Sequence, residues 1–352
     1  MGSPAAPDGG SLGPGRARAP RSLSGAPRTR APLRLLGAVL ACAVAAGGAD
    51  SAADARPGTR RARACEGRRE PLPATLTYRL RWAAFAEDAG ASVAVHVPPG
   101  FDATRRPGLV VYFHGWQGCV GASLADEEAP CTEGGDPRPG AALARQLDES
   151  GANALLVAVE LRVDLPTGEP GRLAMPGTLR LLLHELFAEH LSGALGCELQ
   201  VDGLERVVVM AHSGGYQAAA SALQFGDLPQ VSEVDLLDAL YGADDVFARW
   251  LRQGVARFDP RAAGARRFVN LYTCCGGTVE RSRAMAAAAR AAAAAAGWGD
   301  AAVYDDDGDG ELAGGTLRRS FVSKRVPRAH GELPRQYARE LFEAAGFERI
   351  AR

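Results

Sequence analysis

Lysine is almost missing from this chain: Lys324 stands alone beside 39 arginines. Alanine and glycine are abundant, and a GC-rich coding bias accounts for all three features. The alanine run 286–296, broken only by Arg290, therefore predicts a helix and little more, since Ala is the strongest helix former. No CxxC pair with zinc-like spacing occurs. His184 and His190 flank Glu185, but the second His falls six residues on, so the H-E-x-x-H geometry of zinc proteases is excluded. No apolar run is long enough to cross a bilayer as a stable helix. Internal repeats are absent, and no interdomain linker follows residue 75.

The formal charge of −1 hides a split. Residues 1–64 hold ten Arg and three Asp, a balance of +7, which leaves −8 for residues 65–352. An acidic folded part argues against a nucleic-acid partner. The 47% hydrophobic and 23% charged residues permit a sizeable core.

Residues 1–64 are expected to be a disordered leader. Its apolar core at about 35–46 lies between an Arg-rich flank and small residues, the pattern of a secretory signal. The product is then secreted or placed in the cell envelope. Cys42 raises lipid anchoring as an alternative, but Leu40 stands where a small residue is expected. Six further cysteines, Cys65, Cys119, Cys131, Cys197, Cys274 and Cys275, favour disulfides in an exported chain. Cys119 with Cys131 is the simplest pair to close.

Residues 65–352 are expected to form one α/β domain. Strands are predicted at 77–83, 92–97, 109–114, 154–161, 206–211, 234–239, 267–273 and 320–326. Continuous apolar runs such as Leu109-Val110-Val111-Tyr112-Phe113 suit strands buried on both faces of a parallel sheet. Helices are predicted at 141–149, 216–224, 246–253, 279–296 and 334–345. Another follows the stripe Leu179, Leu183, Leu186, Phe187, Leu191 and Leu195. Alternation of the two predicts a mostly parallel sheet of about eight strands with helices on both faces. The first two strands suit an antiparallel edge.

The sharpest local signal is the apolar strand 207–210 running into Ala211-His212-Ser213-Gly214-Gly215. Strand, tight turn and small-residue helix are the setting of a nucleophile elbow. Ahead of it, the third strand ends in His114-Gly115-Trp116; behind it, His330 is the one histidine that follows Ser213. Together these stretches resemble the α/β-hydrolase superfamily, and Ala-His-Ser-Gly-Gly is similar to the elbow of some small bacterial lipases. The resemblance implies Ser213 as nucleophile, His330 as base, and the N–H groups of Gly214 and Trp116 as oxyanion donors. His212 should point away from the attacking serine.

The triad acid is less constrained. Asp238 ends the sixth strand and is preferred; Asp244, Asp245 and Glu280 are rivals. The more usual position of the family, after the next strand, holds Thr273-Cys274-Cys275-Gly276-Gly277 and no carboxylate. In Asp305-Asp306-Asp307-Gly308-Asp309-Gly310, Asp305, Asp307 and Asp309 match the first half of a calcium loop, but Thr316 stands where its bidentate Glu belongs. An acidic surface turn is the expectation, with no metal and no cofactor.

The implied activity is hydrolysis of carboxylic esters, on small molecules, lipids or polymer-linked acyl groups. Only about 27 residues separate the sixth and seventh predicted strands, too few for a large cap, while loops 116–140 and 162–178 shape the pocket. A peptidase or amidase is the nearest alternative. A non-catalytic envelope binding protein is the alternative of another class. The chain is expected to act as a monomer.

Overall fold

The computed structural model describes residues 75–350 apart from 88–89, 91, 133, 163–164, 166–167, 255–265, 276 and 300–301. The leader, its apolar core at 35–46, Cys42 and Cys65 lie outside the described residues.

A nine-stranded sheet forms the centre. Its strands are β1 (Thr75–Tyr78), β2 (Val93–His96), β3 (Gly108–Phe113), β6 (Ala154–Val159), β7 (Arg206–His212), β8 (Val231–Leu237), β9 (Arg267–Tyr272), β10 (Val303–Asp306) and β11 (Phe321–Arg325). The order is β1-β2-β6-β3-β7-β8-β9-β11-β10. Only the β1–β2 and β2–β6 pairs are antiparallel; every pair from β6 to β10 is parallel. A two-residue ribbon, β4 (Ala129–Pro130) and β5 (Pro137–Arg138), sits in the loop after β3. Helices are α1 (Val120–Leu124), α2 (Leu143–Ser150), α3 (Thr178–Glu185), α4 (Ser192–Leu195), α5 (Tyr216–Phe225), α6 (Asp244–Gly254), α7 (Val279–Ala295) and α8 (Leu333–Ala344).

The central strands bury both faces, as their unbroken apolar runs require. Leu109, Val111 and Phe113 of β3 enter one core with the α3 and α5 side chains. Val110 and Tyr112 enter the other, beneath α2 and α8. Leu179, Leu183, Leu186, Phe187 and Leu191 all pack into the first core. The helix carrying them passes from α3 through a π-helical stretch, Leu186–Leu191, into α4.

Two elements differ from the sequence expectation. The first strand stops at Tyr78 rather than reaching residue 83. Beyond it the backbone N–H groups turn to other acceptors: Leu80 donates to Ser92 Oγ at 3.0 Å, and Arg81 and Trp82 donate to the Glu185 carboxylate at 2.9 and 3.1 Å. A ladder cannot continue without those donors. The ninth strand, β10, is the second difference. It takes in Asp305 and Asp306 from the acidic run and pairs with β11 at the sheet edge, where charged side chains are tolerated.

That pairing also answers the calcium expectation. Asp305 meets Arg290, Asp306 meets Lys324, Asp307 meets Arg283 and Asp309 meets Arg325. Each carboxylate is matched to a cation of the protein, and the strand geometry of Asp305 and Asp306 is not that of a cation-wrapping loop. The run is an edge strand and turn, held by ion pairs.

Candidate active site

Ser213 sits where β7 ends and a single helical turn leads into α5. Its φ of +51° is a left-handed conformation that non-glycine residues seldom adopt, the strained turn expected of an exposed nucleophile. Small neighbours make the turn possible. A Cβ added to Gly215 would lie 2.4 Å from the Phe113 carbonyl oxygen, so only glycine lets the helix start this close to β3. Because helical structure begins at Ser213, the N–H of Gly214 lies in a first turn, where no earlier helical carbonyl accepts it.

The His330 ring bridges the site. Its Nε2 lies 2.8 Å from Ser213 Oγ, and its Nδ1 lies 2.8 Å from Asp238 Oδ2. His330 arrives from the loop after β11, at the turn before α8. Asp238 follows the last residue of β8, fully buried and also left-handed, with φ +45°. Its rivals are engaged elsewhere: Asp244 with Arg281 and Asp245 with Arg249. Glu280 stands exposed in the first turn of α7.

The sequence did not suggest how Asp238 is held. Thr273 Oγ1 donates to Oδ2 at 2.6 Å, the Thr273 N–H reaches Oδ1 at 3.3 Å, and the Thr278 hydroxyl donates to Oδ1. Burial pushes this carboxyl upward. The donors His330, Thr273 and Thr278 outweigh burial and hold it below its ordinary value. The side chain is thereby kept as an anion facing an imidazole.

The backbone of His114-Gly115-Trp116 lies against Ser213: a Cβ on Gly115 would approach Ser213 Cβ to 2.6 Å. A carboxylate braces this loop from β6. Glu160 Oε1 lies 3.0 Å from His114 Nε2, Oε2 accepts the Val120 N–H at 3.0 Å, and His114 Nδ1 lies 2.8 Å from the Gly115 carbonyl. The disulfide Cys119–Cys131 and the β4–β5 ribbon tie down the rest of loop 116–140. From the other side, Gly168 of loop 162–178 packs on the Gly214 backbone, where a Cβ would fall 2.2 Å from the Gly214 oxygen. Both loops reach the Ser213 turn, and the described residues include no separate cap over it. Trp116 leaves its indole about half exposed, at 52%.

His212 makes a contact that the sequence did not suggest. Strand alternation turns it from Ser213, yet its Nε2 lies 3.0 Å from the His330 carbonyl oxygen and the two rings are 4.9 Å apart. Burial first, then the neighbouring His330, lowers its pKa to about 4, so it is a neutral ring packed behind His330. Tyr241 completes the surround, edge-on to His330 with centroids 6.2 Å apart. Neither residue carried a sequence signal beyond its nearness to a motif.

Away from this site, Glu185, Glu189 and His190 bring potential metal ligands within 4.8 Å of one another. Arg81 already occupies them, bonding both Glu185 and Glu189, so the group is an ion-pair cluster anchoring the end of β1.

No family model and no curated protein matches the sequence. Among solved structures, the chain is similar to a feruloyl esterase module from Clostridium thermocellum, at 10% identity and TM-score 0.47, over 79% of this chain and 89% of that one. It is also similar to a ferulic acid esterase from Anaeromyces mucronatus, at 13% identity and TM-score 0.39, over 79% and 93%. A siderophore hydrolase from Aspergillus nidulans is similar at 11% identity and TM-score 0.36, over 78% and 96%.

Proposed function

We propose that this chain is an exported serine hydrolase that cleaves carboxylic esters through an acyl-enzyme. The observation that carries the reading is the unbroken relay from Ser213 Oγ through the His330 ring to Asp238, with 2.8 Å at each step. Such a relay lets the imidazole take the serine proton as the oxygen attacks, while the carboxylate fixes the tautomer and steadies the imidazolium.

In the first half-reaction, Ser213 Oγ bonds to the ester carbonyl carbon and its proton passes to His330 Nε2. The N–H groups of Gly214 and Trp116 are the donors proposed for the oxyanion. Collapse of the tetrahedral intermediate expels the alcohol, which takes the proton from His330. In the second half, water gives a proton to His330 and its oxygen bonds to the acyl carbon. The acid departs as Ser213 recovers its proton. An oxyanion donor typically contributes roughly 3 kcal/mol to such steps.

Esters are favoured over peptides because the described loops leave the serine uncapped and place an exposed indole at Trp116. Export is supported by the disulfides Cys119–Cys131 and Cys274–Cys275, which persist in oxidising compartments. No described helix is long and apolar enough to cross a membrane.

A fluorophosphonate probe on protein lacking the leader tests the reading without presupposing a substrate. Labelling of the wild type, lost in folded Ser213→Ala and sharply reduced in His330→Ala, is the expected result. Absence of labelling in a folded, oxidised wild type would overturn it and favour a binding protein on the same scaffold.

A further inference from the structure

Both hydroxyls that hold Asp238 come from one short segment, Thr273-Cys274-Cys275-Gly276-Gly277-Thr278. The two threonines are buried, while the adjacent cysteines between them are exposed and joined to each other. Thr278 occupies the N-cap position of α7 without making a side-chain cap bond; its hydroxyl goes to Asp238 instead. A hydroxyl at that position ordinarily accepts one of the free N–H groups of the first turn. Gly277 also lies beside Tyr241, whose ring would be 3.7 Å from an added Cβ, and Tyr241 in turn meets His330.

A disulfide between chain neighbours does little of what disulfides usually do. The usual gain comes from closing a long loop in the unfolded chain, and it shrinks as the loop shortens. Here the Cα atoms are 3.8 Å apart, the spacing that a trans peptide already imposes. The bond restrains only local backbone, and Cys274 directly follows Thr273, whose N–H and hydroxyl both reach the carboxylate.

We propose, resting on the triad reading above, that the Cys274–Cys275 disulfide is a positioning element for Asp238, and that its reduction by a thiol loosens the threonine bonds that hold the carboxylate beside His330. In the reductive step a thiolate of a dithiol attacks one exposed sulfur and the other leaves as a thiolate. The second thiol of the reductant then resolves the mixed disulfide. Two electrons pass to the protein, leaving two cysteine thiols and one oxidised reductant. Access favours this bond over Cys119–Cys131, whose Cys119 is buried.

The charged and titratable groups that face Asp238 are His330, Tyr241 and, more remotely, His212. With the threonine hydroxyls drawn back, the carboxylate becomes more basic. The acid limb of kcat/KM then moves to higher pH.

The experiment compares wild type with a Cys274→Ser/Cys275→Ser variant, each with and without dithiothreitol, using p-nitrophenyl acetate and the His330 Nδ1–H proton resonance. That resonance needs no turnover. The variant is expected to lose about tenfold in kcat, well short of the roughly 10⁴-fold cost of losing a triad acid. KM and melting temperature should hold, the acid limb should rise, and the resonance should shift. Dithiothreitol should bring the wild type to the variant's level, leave the variant unchanged, and be reversed by reoxidation. Thr278→Val should lower kcat in the oxidised protein, and dithiothreitol should then lower it little further.

An unchanged resonance and pH profile in the variant would overturn the proposal, even in an active hydrolase. A change in KM alone would do the same by making the disulfide a substrate contact, and so would equal inhibition of the variant by dithiothreitol. A resonance that shifts in a protein that never labels or turns over would instead sink the hydrolase reading and leave the coupling intact.

Discussion

The His212 ring donates from Nε2 to the main-chain oxygen of His330 at 3.0 Å, so the residue before Ser213 holds the loop that carries His330. A ring with its proton on Nε2 makes this bond, and burial keeps that ring neutral by lowering the pKa from about 6.5 to about 4.

The sign of the pH effect follows. The unfolded chain binds this proton below about pH 6.5, whereas the folded ring binds it only below about 4. His212's contribution is whole above pH 6.5 and is lost progressively as pH falls toward 4. His212→Phe, which cannot titrate, should flatten that part of the stability curve in urea unfolding between pH 4 and 7. It should also slow fluorophosphonate labelling several-fold, because the His330 loop loses its anchor.

Asp238→Asn should cut kcat by about 10⁴-fold. Asn tolerates the left-handed backbone that Asp238 adopts, φ +45°, so folding should survive, as circular dichroism would show. Its amide can present an N–H to His330 Nδ1 and force the wrong tautomer. A loss of less than tenfold would mean that another group orients the ring.

Glu160→Gln should lower kcat/KM by about tenfold, less than the roughly hundredfold cost of deleting an oxyanion donor. The carboxylate ties His114 to the start of α1, and its neutral isostere keeps the shape while weakening both bonds. KM measured beside kcat separates a displaced oxyanion loop from lost substrate contact.

Asp235 lies fully buried on β8 beside Glu233, which is paired with Arg267. Burial first, then the Glu233 charge, raises its pKa well above the ordinary carboxyl value. The folded state therefore keeps a proton that the unfolded chain releases, and stability falls as pH rises above about 4. Asp235→Asn, neutral at every pH, should melt higher than wild type at pH 8, with the gap closing toward pH 4.

Some of this was legible in one dimension. Apolar runs marked the inner strands because both faces of a parallel sheet exclude water, and Ser213 was legible because an elbow demands small residues at fixed offsets. His330 stood out by order alone. Asp238 had three rivals, since a carboxylate carries no local mark of which ring it will meet. β10 was hidden because an edge strand need not be apolar, and its aspartates mimicked half of a calcium loop.

What the sequence determined by itself is therefore whatever depends on periodicity and on backbone sterics: buried strands, amphipathic helices, the serine turn and the order of the motifs. Tertiary structure decided which groups meet. Asp238 faces His330, Thr273 and Thr278 close on that carboxylate, Glu160 braces His114, and His212 reaches the His330 loop. Those pairings join residues 35 to 118 positions apart in the chain. At such separations only the packing of strand ends side by side sets a distance of 3 Å, and no local pattern encodes it.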